Sequence, residues 1–253
     1  MLTLDISNYG GELPASVVAD WKTAGVEKVV VGVDLRAANI TLARRQLAAA
    51  RNGGMRLGAY RFCYWASDIE ASLRLTASAL AGFNIEDVAL DFEDDVPNQP
   101  ELVCAWIQNC LDIASRVWGR ERVILYTAAW WWNPNTNSTT RFKDWPLWVA
   151  QYDGDSSSNF NHFGGWQTCF RKQFLGSSDI CHYTADVNYE EDDMDAATEQ
   201  KLQRAAVAAR WAGLIATVEP RLVALAVREM LYCRVASGVP LMPADSELPG
   251  PLK

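Results

Sequence analysis

The sequence predicts a mixed α/β barrel of about eight strands. Five short apolar segments alternate with helical segments through the first half of the chain, which is typical of a parallel sheet with right-handed crossovers. Three further strands follow without long helices between them, so the outer helices are missing on one side. A doubly wound open sheet is the alternative, but no glycine-rich phosphate loop follows the first strand.

Each element is predicted from its residue pattern in chain order. Apolar and β-branched runs predict strands, while proline, glycine and capping residues mark the ends of helices. The predicted strands are residues 2–6, 27–33, 56–62, 85–93, 121–126, 146–152, 165–169 and 181–187. The predicted helices are residues 14–24, 40–51, 67–81 and 100–118, and residues 130–140 are predicted to form a polar loop.

The chain is predicted to divide into a barrel, residues 1–192, and a helical extension, residues 193–253. Residues 195–218 and 220–236 have the pattern of two helices rich in Ala, Val and Leu. Their apolar faces require burial, either on the barrel or against another chain. The proline-containing residues 241–253 predict an extended tail.

Composition excludes several classes of function. The net charge of −8 argues against a nucleic-acid partner, because phosphate binding needs a basic face. No segment approaches the roughly 18 uncharged apolar residues of a membrane span, and no signal peptide is predicted from the first residues. The 11 tryptophans mildly favour a carbohydrate ligand, since indole rings stack on sugars.

The six cysteines and two histidines predict no metal site, and no cofactor is expected. The cysteines lack the paired spacing of a zinc site. Without an export signal, free buried thiols are the default. Cys169 and Cys181 face each other across a predicted hairpin, so a disulfide between them is the alternative.

Acidic residues gather at the ends of predicted strands. Asp91 and Glu93 share one face of the fourth strand, because strand side chains alternate. In a parallel barrel the carboxyl ends of the strands meet at one face, so Asp5 and Asp186, at the ends of the first and last strands, join them there. The alternative is a solvated acidic loop, which is the commoner environment of an isolated Asp-x-Glu.

Aromatic and polar residues at other strand ends complete a candidate sugar site: Tyr60, Tyr126, Trp148 and Gln167. A glycosidase needs a carboxylic acid that protonates the leaving oxygen, a second group that stabilises the sugar cation, and flat rings that hold sugars. Crowding of carboxylates holds one of them protonated near neutral pH. Glu93 is the candidate acid because its side chain is longer.

Seven segments, taken in order, resemble the family 25 glycoside hydrolases, the lysozyme-like muramidases. They are DISNYG at 5–10, GAYRF at 58–62, LDFE at 90–93, ILYT at 124–127, PLWVAQY at 146–152, WQ at 166–167 and ADVN at 185–188. The resemblance covers about residues 1–190 and implies an irregular TIM-like (β/α)5β3 barrel. It implies hydrolysis of the β-1,4 bond between N-acetylmuramic acid and N-acetylglucosamine in bacterial peptidoglycan, with retention.

In this resemblance Glu93 is the acid/base, while Asp91 orients the N-acetyl group of the substrate as nucleophile or stabilises the cation. Asp5 and Asp186 bind and polarise the substrate. Strand spacing by itself leaves retention and inversion both open.

The sequence departs from the family pattern in three places. Arg61 stands where a histidine is usual, residues 31–36 replace a Lys-Ala-Thr-Glu-Gly-like segment, and the helical extension replaces wall-binding repeats. The leading hypothesis is an active phage lysin or virion-borne lysozyme, present in the host cytoplasm before release to the wall or carried in the particle. A non-catalytic barrel that binds glycan or builds a virion, and a hydrolase of another glycan, are the alternatives. The extension would then serve self-association or bind a virion partner.

Overall fold

A computed structural model describes residues 1–65 and 67–190 as a mixed α/β fold around a closed barrel of eight strands. Five α-helices lie within these residues, and the predicted α/β class is confirmed. None of these helices is both long and apolar enough to cross a membrane. The predicted boundary after residue 192, the helices 195–218 and 220–236 and the tail 241–253 lie outside the described residues.

The strands follow one another around the barrel in chain order. The strands are β1 (Leu2–Ile6), β2 (Val26–Gly32), β3 (Arg56–Phe62), β4 (Ile85–Asp91), β5 (Val123–Thr127), β6 (Leu147–Ala150), β7 (Arg171–Asp179) and β8 (Thr184–Glu190). The helices are α1 (Ala15–Thr23), α2 (Ala37–Asn52), α3 (Ile69–Leu80), α4 (Pro100–Trp118) and α5 (Ala129–Thr136). Strands β1 to β7 pair in parallel, and β8 closes the barrel by running antiparallel to both β7 and β1.

Local chemistry explains most of the element boundaries. The Asp68 carboxylate accepts a hydrogen bond from the Ala71 N–H and caps α3, one residue beyond the Ser67 cap that the sequence predicts. Helix α4 begins at Pro100 and ends before Gly119, whose φ of 87° favours glycine. Gly32 leaves room for Tyr60, because a Cβ at Gly32 would lie 2.5 Å from that ring. The aromatic ring can therefore fill the barrel interior.

Two predicted segments differ from the structure. Residues 129–136 form α5 instead of a loop, because burial of Trp131 and Trp132 in the outer core outweighs the Asn and Pro signals. The predicted strand 165–169 is a loop that turns at Gly164 and Gly165, both at positive φ.

The last two strands lie further along the chain than the sequence predicts. β7 begins at Arg171, where the charged sequence Arg-Lys-Gln obscures the apolar pattern of a strand, and β8 is displaced by three residues. No disulfide joins Cys169 to Cys181, so the alternative of a bond between them is wrong.

The base of the barrel interior contains a buried ion network. Lys28 and Arg171 face Asp87 and Glu190, and all four side chains are at most 7% exposed. The Arg171 Nε donates to Glu190 Oε2 at 2.8 Å, and Lys28 Nζ donates to Glu190 Oε1 at 3.0 Å. The Arg171 guanidinium also stacks on the Trp148 ring at 4.6 Å. Two cations thus balance two carboxylates beneath the mouth of the barrel.

Candidate active site

A cavity of about 620 Å³ opens at the carboxyl ends of the first four strands. Its volume is in the range of small-molecule sites. The four acidic residues that the sequence predicted to converge all line it: Asp5, Asp91, Glu93 and Asp186. Tyr9, Tyr60, Phe62 and Tyr64 provide aromatic surface on the same cavity.

Asp5 and Asp186 are paired across the β1–β8 junction. The prediction placed Asp186 at the end of a parallel strand, and this was wrong: it is the third residue of β8. Because β8 runs antiparallel, its beginning lies beside the carboxyl end of β1. The Gln173 Nε2 donates to Asp5 Oδ2 and to Asp186 Oδ2, each at 3.0 Å. Asn188 Nδ2 donates a further bond to Asp5 Oδ2 at 2.7 Å.

Asp91 is the last residue of β4 and is only 5% exposed. Its Oδ1 has no hydrogen-bond partner among the described groups. Burial, followed by the charge of Glu93, raises the pKa of Asp91 well above its ordinary value. Asp91 is therefore a deep carboxyl group for which ionisation is costly.

Glu93 lies two residues beyond Asp91 and is half-buried at the cavity wall. Burial and then the charge of Asp186 raise the pKa of Glu93. Burial, then Asp186, raise the pKa of Asp5 to about 7, although Asn188 and Gln173 act in the opposite direction. Several carboxyl groups thus share one site in which full ionisation near neutral pH is unfavourable, and a proton is available for acid catalysis.

The predicted aromatic residues lie in two layers. Tyr60 lines the cavity, and its ring meets Trp148 edge to face at 6.2 Å. Trp148 is 1% exposed and donates from Nε1 to Asn188 Oδ1 at 2.8 Å. The Tyr126 hydroxyl donates to Gln173 Oε1 at 2.8 Å. Tyr126 and Trp148 therefore support the amides that bind the carboxylates, one layer below the position that the sequence predicted.

Gln167 does not lie at this cavity. It is exposed in the loop before β7, beside Pro146 and Leu147 at the amino end of β6. Gln173, six residues later, occupies the position expected for Gln167. Sequence reasoning missed Gln173 because the strand was placed too early. No apolar alternation marks residues 171–175 as a strand, and a register shift between Gln173 and Leu175 interrupts the alternation of faces.

Two departures from the family pattern lie at or near the cavity wall. Arg61 is 2% exposed and turns toward α3, donating to Ser72 Oγ at 3.1 Å and to the Val33 carbonyl at 3.0 Å. At the rim, Arg36 forms an ion pair with Asp34 at 2.6 Å. The hydrogen bond from Arg36 lowers the pKa of Asp34 to about 2. Within residues 1–65 and 67–190, no group of three or more His, Cys, Asp or Glu residues is arranged to hold a metal ion.

An α/β barrel with clustered carboxyl groups at the carboxyl ends of its strands has the architecture of an enzyme whose active site lies at that face. Residues 4–176 match the family model described as Glycosyl hydrolases family 25, and the chain belongs to this family. Probable GH family 25 lysozyme 2 of Dictyostelium discoideum is 39% identical over 66 residues, which are 26% of this chain and 31% of that protein. Probable GH family 25 lysozyme 3 of the same organism is 25% identical over 56% of this chain and 31% of its own length. The chain thus spans about a third of these relatives.

Solved structures show the same fold. A muramidase from Acremonium alcalophilum aligns with a TM-score of 0.60 and 23% identity, over 81% of this chain and 98% of that chain. A family GH25 lysozyme from Aspergillus fumigatus aligns with a TM-score of 0.61 and 23% identity, over 79% of this chain and 97% of the other. At this level of identity the alignment supports the fold alone, so the reaction must be inferred from the residues of the cavity.

Proposed function

We propose that this chain is a muramidase that hydrolyses the β-1,4 bond between N-acetylmuramic acid and N-acetylglucosamine in bacterial peptidoglycan. Membership of family 25 supports the reaction class. The observation that carries the proposal is the convergence of four carboxyl groups on one cavity with aromatic walls. Carboxyl groups with raised pKa values supply the acid that glycoside cleavage needs, and the rings bind sugar faces.

Glu93 is the proposed acid/base. It is half-buried, follows the last residue of β4 by two positions and borders open cavity. Its raised pKa keeps it protonated closer to neutral pH than a solvated glutamate. It donates a proton to the leaving oxygen and then removes one from the incoming water.

Asp91 is proposed to assist the N-acetyl group of the substrate. Asp91 lines the cavity, and its buried Oδ1 has no hydrogen-bond partner among the described groups, so an amide N–H of the substrate that reached this oxygen would satisfy it. This contact would orient the acetyl oxygen toward the anomeric carbon and give net retention. Asp5 and Asp186, which Gln173 bridges, are assigned to substrate binding and polarisation.

The (β/α)5β3 description and the C-terminal helical extension belong to the same proposal. The alternation of β1 to β5 with α1 to α5 supports the description, while the extension rests on the sequence pattern of residues 193–253. The setting that we propose is a phage lysin or a virion-borne lysozyme. In that setting the enzyme reaches the wall on release from the host cytoplasm or within a particle, and the extension self-associates or binds a virion protein.

The test compares the wild-type protein with Glu93→Gln on purified peptidoglycan, measuring new reducing ends. Loss of a general acid is expected to lower the rate by about 10²- to 10⁴-fold. Glu101→Gln makes the same chemical change at an exposed position on α4 and is expected to leave the rate unchanged. Equal, null activity for wild type and Glu93→Gln would instead support a non-catalytic glycan-binding barrel.

The released fragments identify the bond and the stereochemistry. Borohydride reduction of the products is expected to yield reduced muramic acid at the new ends; reduced glucosamine would indicate a different glycosidase. Proton NMR during the first turnovers is expected to show the β-anomer before mutarotation. Initial release of the α-anomer would contradict retention and the role of Asp91.

A further inference from the structure

The segment between β6 and β7 wraps around the ammonium group of Lys172. Four alternate residues of this segment carry oxygen ligands: Asp153, Asp155, Ser157 and Asn159. The Lys172 Nζ donates to Asp153 Oδ2 at 2.9 Å and to the Asn159 carbonyl at 2.6 Å. Asp155 Oδ2 lies 4.0 Å from the same nitrogen. The ammonium group thus contacts the first, third and seventh residues of the segment.

This pattern matches the first half of a calcium-binding loop. Such loops supply side-chain oxygens from positions 1, 3 and 5 and a backbone carbonyl from position 7. Residues 153–159 present Asp, Asp, Ser and a backbone carbonyl at those positions. The segment lacks the glycine of position 6 and the glutamate of position 12, which are Ser158 and Gly164 here. It therefore has half of the ligand set, arranged around an amine instead of a metal ion.

The burial of the partners shows which group depends on the other. The Lys172 side chain is 0% exposed, whereas Asp153 and Asp155 are 34% and 50% exposed. A buried ammonium group is costly unless it is paired and hydrogen-bonded. The segment satisfies that requirement, and in return the lysine provides the positive charge that keeps two carboxylates on one short loop.

The clamped segment is continuous with the active site. Tyr152 directly precedes Asp153, and its hydroxyl donates to Gln173 Oε1 at 2.9 Å. Gln173 directly follows Lys172 and binds both Asp5 and Asp186. Because neighbouring residues of a strand point to opposite faces, Lys172 holds the outer segment while the buried Gln173 faces the interior and binds two acids of the cavity.

We propose that Lys172 is a positioning residue that takes the place of a bound cation. It holds residues 153–159 around its ammonium group, with oxygen atoms at the sequence spacing of a calcium loop, and thereby places Tyr152 against Gln173. The effect on catalysis rests on the proposed muramidase function, whereas the cation-like role of Lys172 does not.

The first test uses calorimetric titration of the full chain with Ca²⁺. Lys172→Ala is expected to bind Ca²⁺ with a Kd on the order of 10⁻⁴ to 10⁻³ M, as weak extracellular modules do. Wild type, and Lys143→Ala as an exposed-lysine control, are expected to bind at least tenfold more weakly. The double variant Lys172→Ala with Asp155→Asn is expected to lose the gained affinity. The proposal would be overturned if Lys172→Ala bound Ca²⁺ no more tightly than wild type. It would also be overturned if the double variant bound Ca²⁺ as tightly as Lys172→Ala.

A second measurement covers the case in which Lys172→Ala does not fold. Asp153→Asn retains the lysine and weakens the clamp at a partly exposed position. It is expected to increase amide hydrogen exchange across residues 153–159 at least tenfold, with β6 unchanged. Unchanged exchange in the segment would contradict the clamp.

Activity supplies the final measurement. Ca²⁺ is expected to restore kcat/KM in Lys172→Ala, mainly by lowering KM. In the double variant, Ca²⁺ is expected to have no effect. Calcium binding without any restoration would overturn the positioning of Tyr152. Absence of muramidase activity in wild type as well would count against the proposed function, with the titration still deciding the role of Lys172.

Discussion

The two ends of the barrel interior hold acids that are equally buried but oppositely stabilised. Asp87 and Asp91 lie on the same face of β4, four residues apart, and each is 5% exposed. At the base, burial would raise the pKa of Asp87, but the charges of Arg171 and Lys28 outweigh it and lower that pKa. At the mouth, burial and the charge of Glu93 raise the pKa of Asp91.

The difference lies in the partners and not in the depth. Carboxylates at the base meet cations, so their charge is compensated and the network holds the strands together. Carboxyl groups at the mouth meet amides and one another, so no buried cation among the described residues compensates their ionisation and their pKa values rise. Uncompensated acids of this kind are typical of catalytic sites. Burial alone therefore does not separate a structural acid from a functional one.

The largest expected effect comes from the same substitution at both ends. Asp87→Asn leaves Lys28 and Arg171 with one compensating buried carboxylate, and is expected to lower the free energy of unfolding by about 3–5 kcal/mol. Asp91→Asn replaces an acid that resists ionisation by a neutral isostere, and is expected to leave that free energy unchanged or raise it, while activity falls. Urea unfolding and the reducing-end assay measure the two quantities. Similar destabilisation by both substitutions would break the comparison.

The pH dependence of stability should also differ between the ends. The folded pKa of Asp5, about 7, lies above its ordinary value of 3.8, so the folded chain retains a proton that the unfolded chain loses. Stability from this group is complete below about pH 4 and is lost as pH rises toward 7, by up to about 4 kcal/mol. The lowered pKa of Asp87 has the opposite sign: its contribution is present above about pH 4 and is lost on further acidification.

Unfolding free energies measured from pH 4.5 to 7.5 test this assignment. Asp5→Asn is expected to make the decline seen in wild type less steep, because one of the groups with a raised pKa has been removed. Asp87→Asn is expected to keep the decline across this range. A wild-type profile that rises with pH, or an unchanged slope in Asp5→Asn, would contradict the raised pKa of Asp5.

The sequence predicted the mouth better than the base. The positions of Asp5 on β1 and Asp91 on β4 follow from local strand geometry. The predicted fourth strand extended to residue 93, but β4 ends at Asp91, so Glu93 reaches the same cavity from the segment that follows the strand. The base network joins residues from four strands, and no local pattern marks Lys28 or Arg171 as interior. Their interior positions are revealed only when distant strands pair to close the barrel.

The errors at β7 and β8 have the same origin. Arg171 and Lys172 look like surface residues in the sequence, yet both are fully buried because acids from other segments neutralise them. Because the seventh strand was predicted too early, Gln167 was assigned to the site in place of Gln173. The direction of β8 was also beyond local patterns, since Asp186 reaches the cavity through an antiparallel closure.

The smallest expected effect concerns the two tyrosines that share one acceptor. Tyr126 and Tyr152 both donate to Gln173 Oε1. Tyr126 lies in the buried interior, and Tyr152 lies at the half-exposed rim. Tyr152→Phe removes one of these bonds and leaves the other, so the Gln173 amide still donates to Asp5 and Asp186. A net loss of about 0.5–1.5 kcal/mol corresponds to at most about a tenfold fall in kcat/KM. Tyr126→Phe, matched in chemistry but buried, is expected to lower the free energy of unfolding more than Tyr152→Phe does. If Tyr152→Phe abolished activity, the rim would act in catalysis directly and the division between mouth and support would fail.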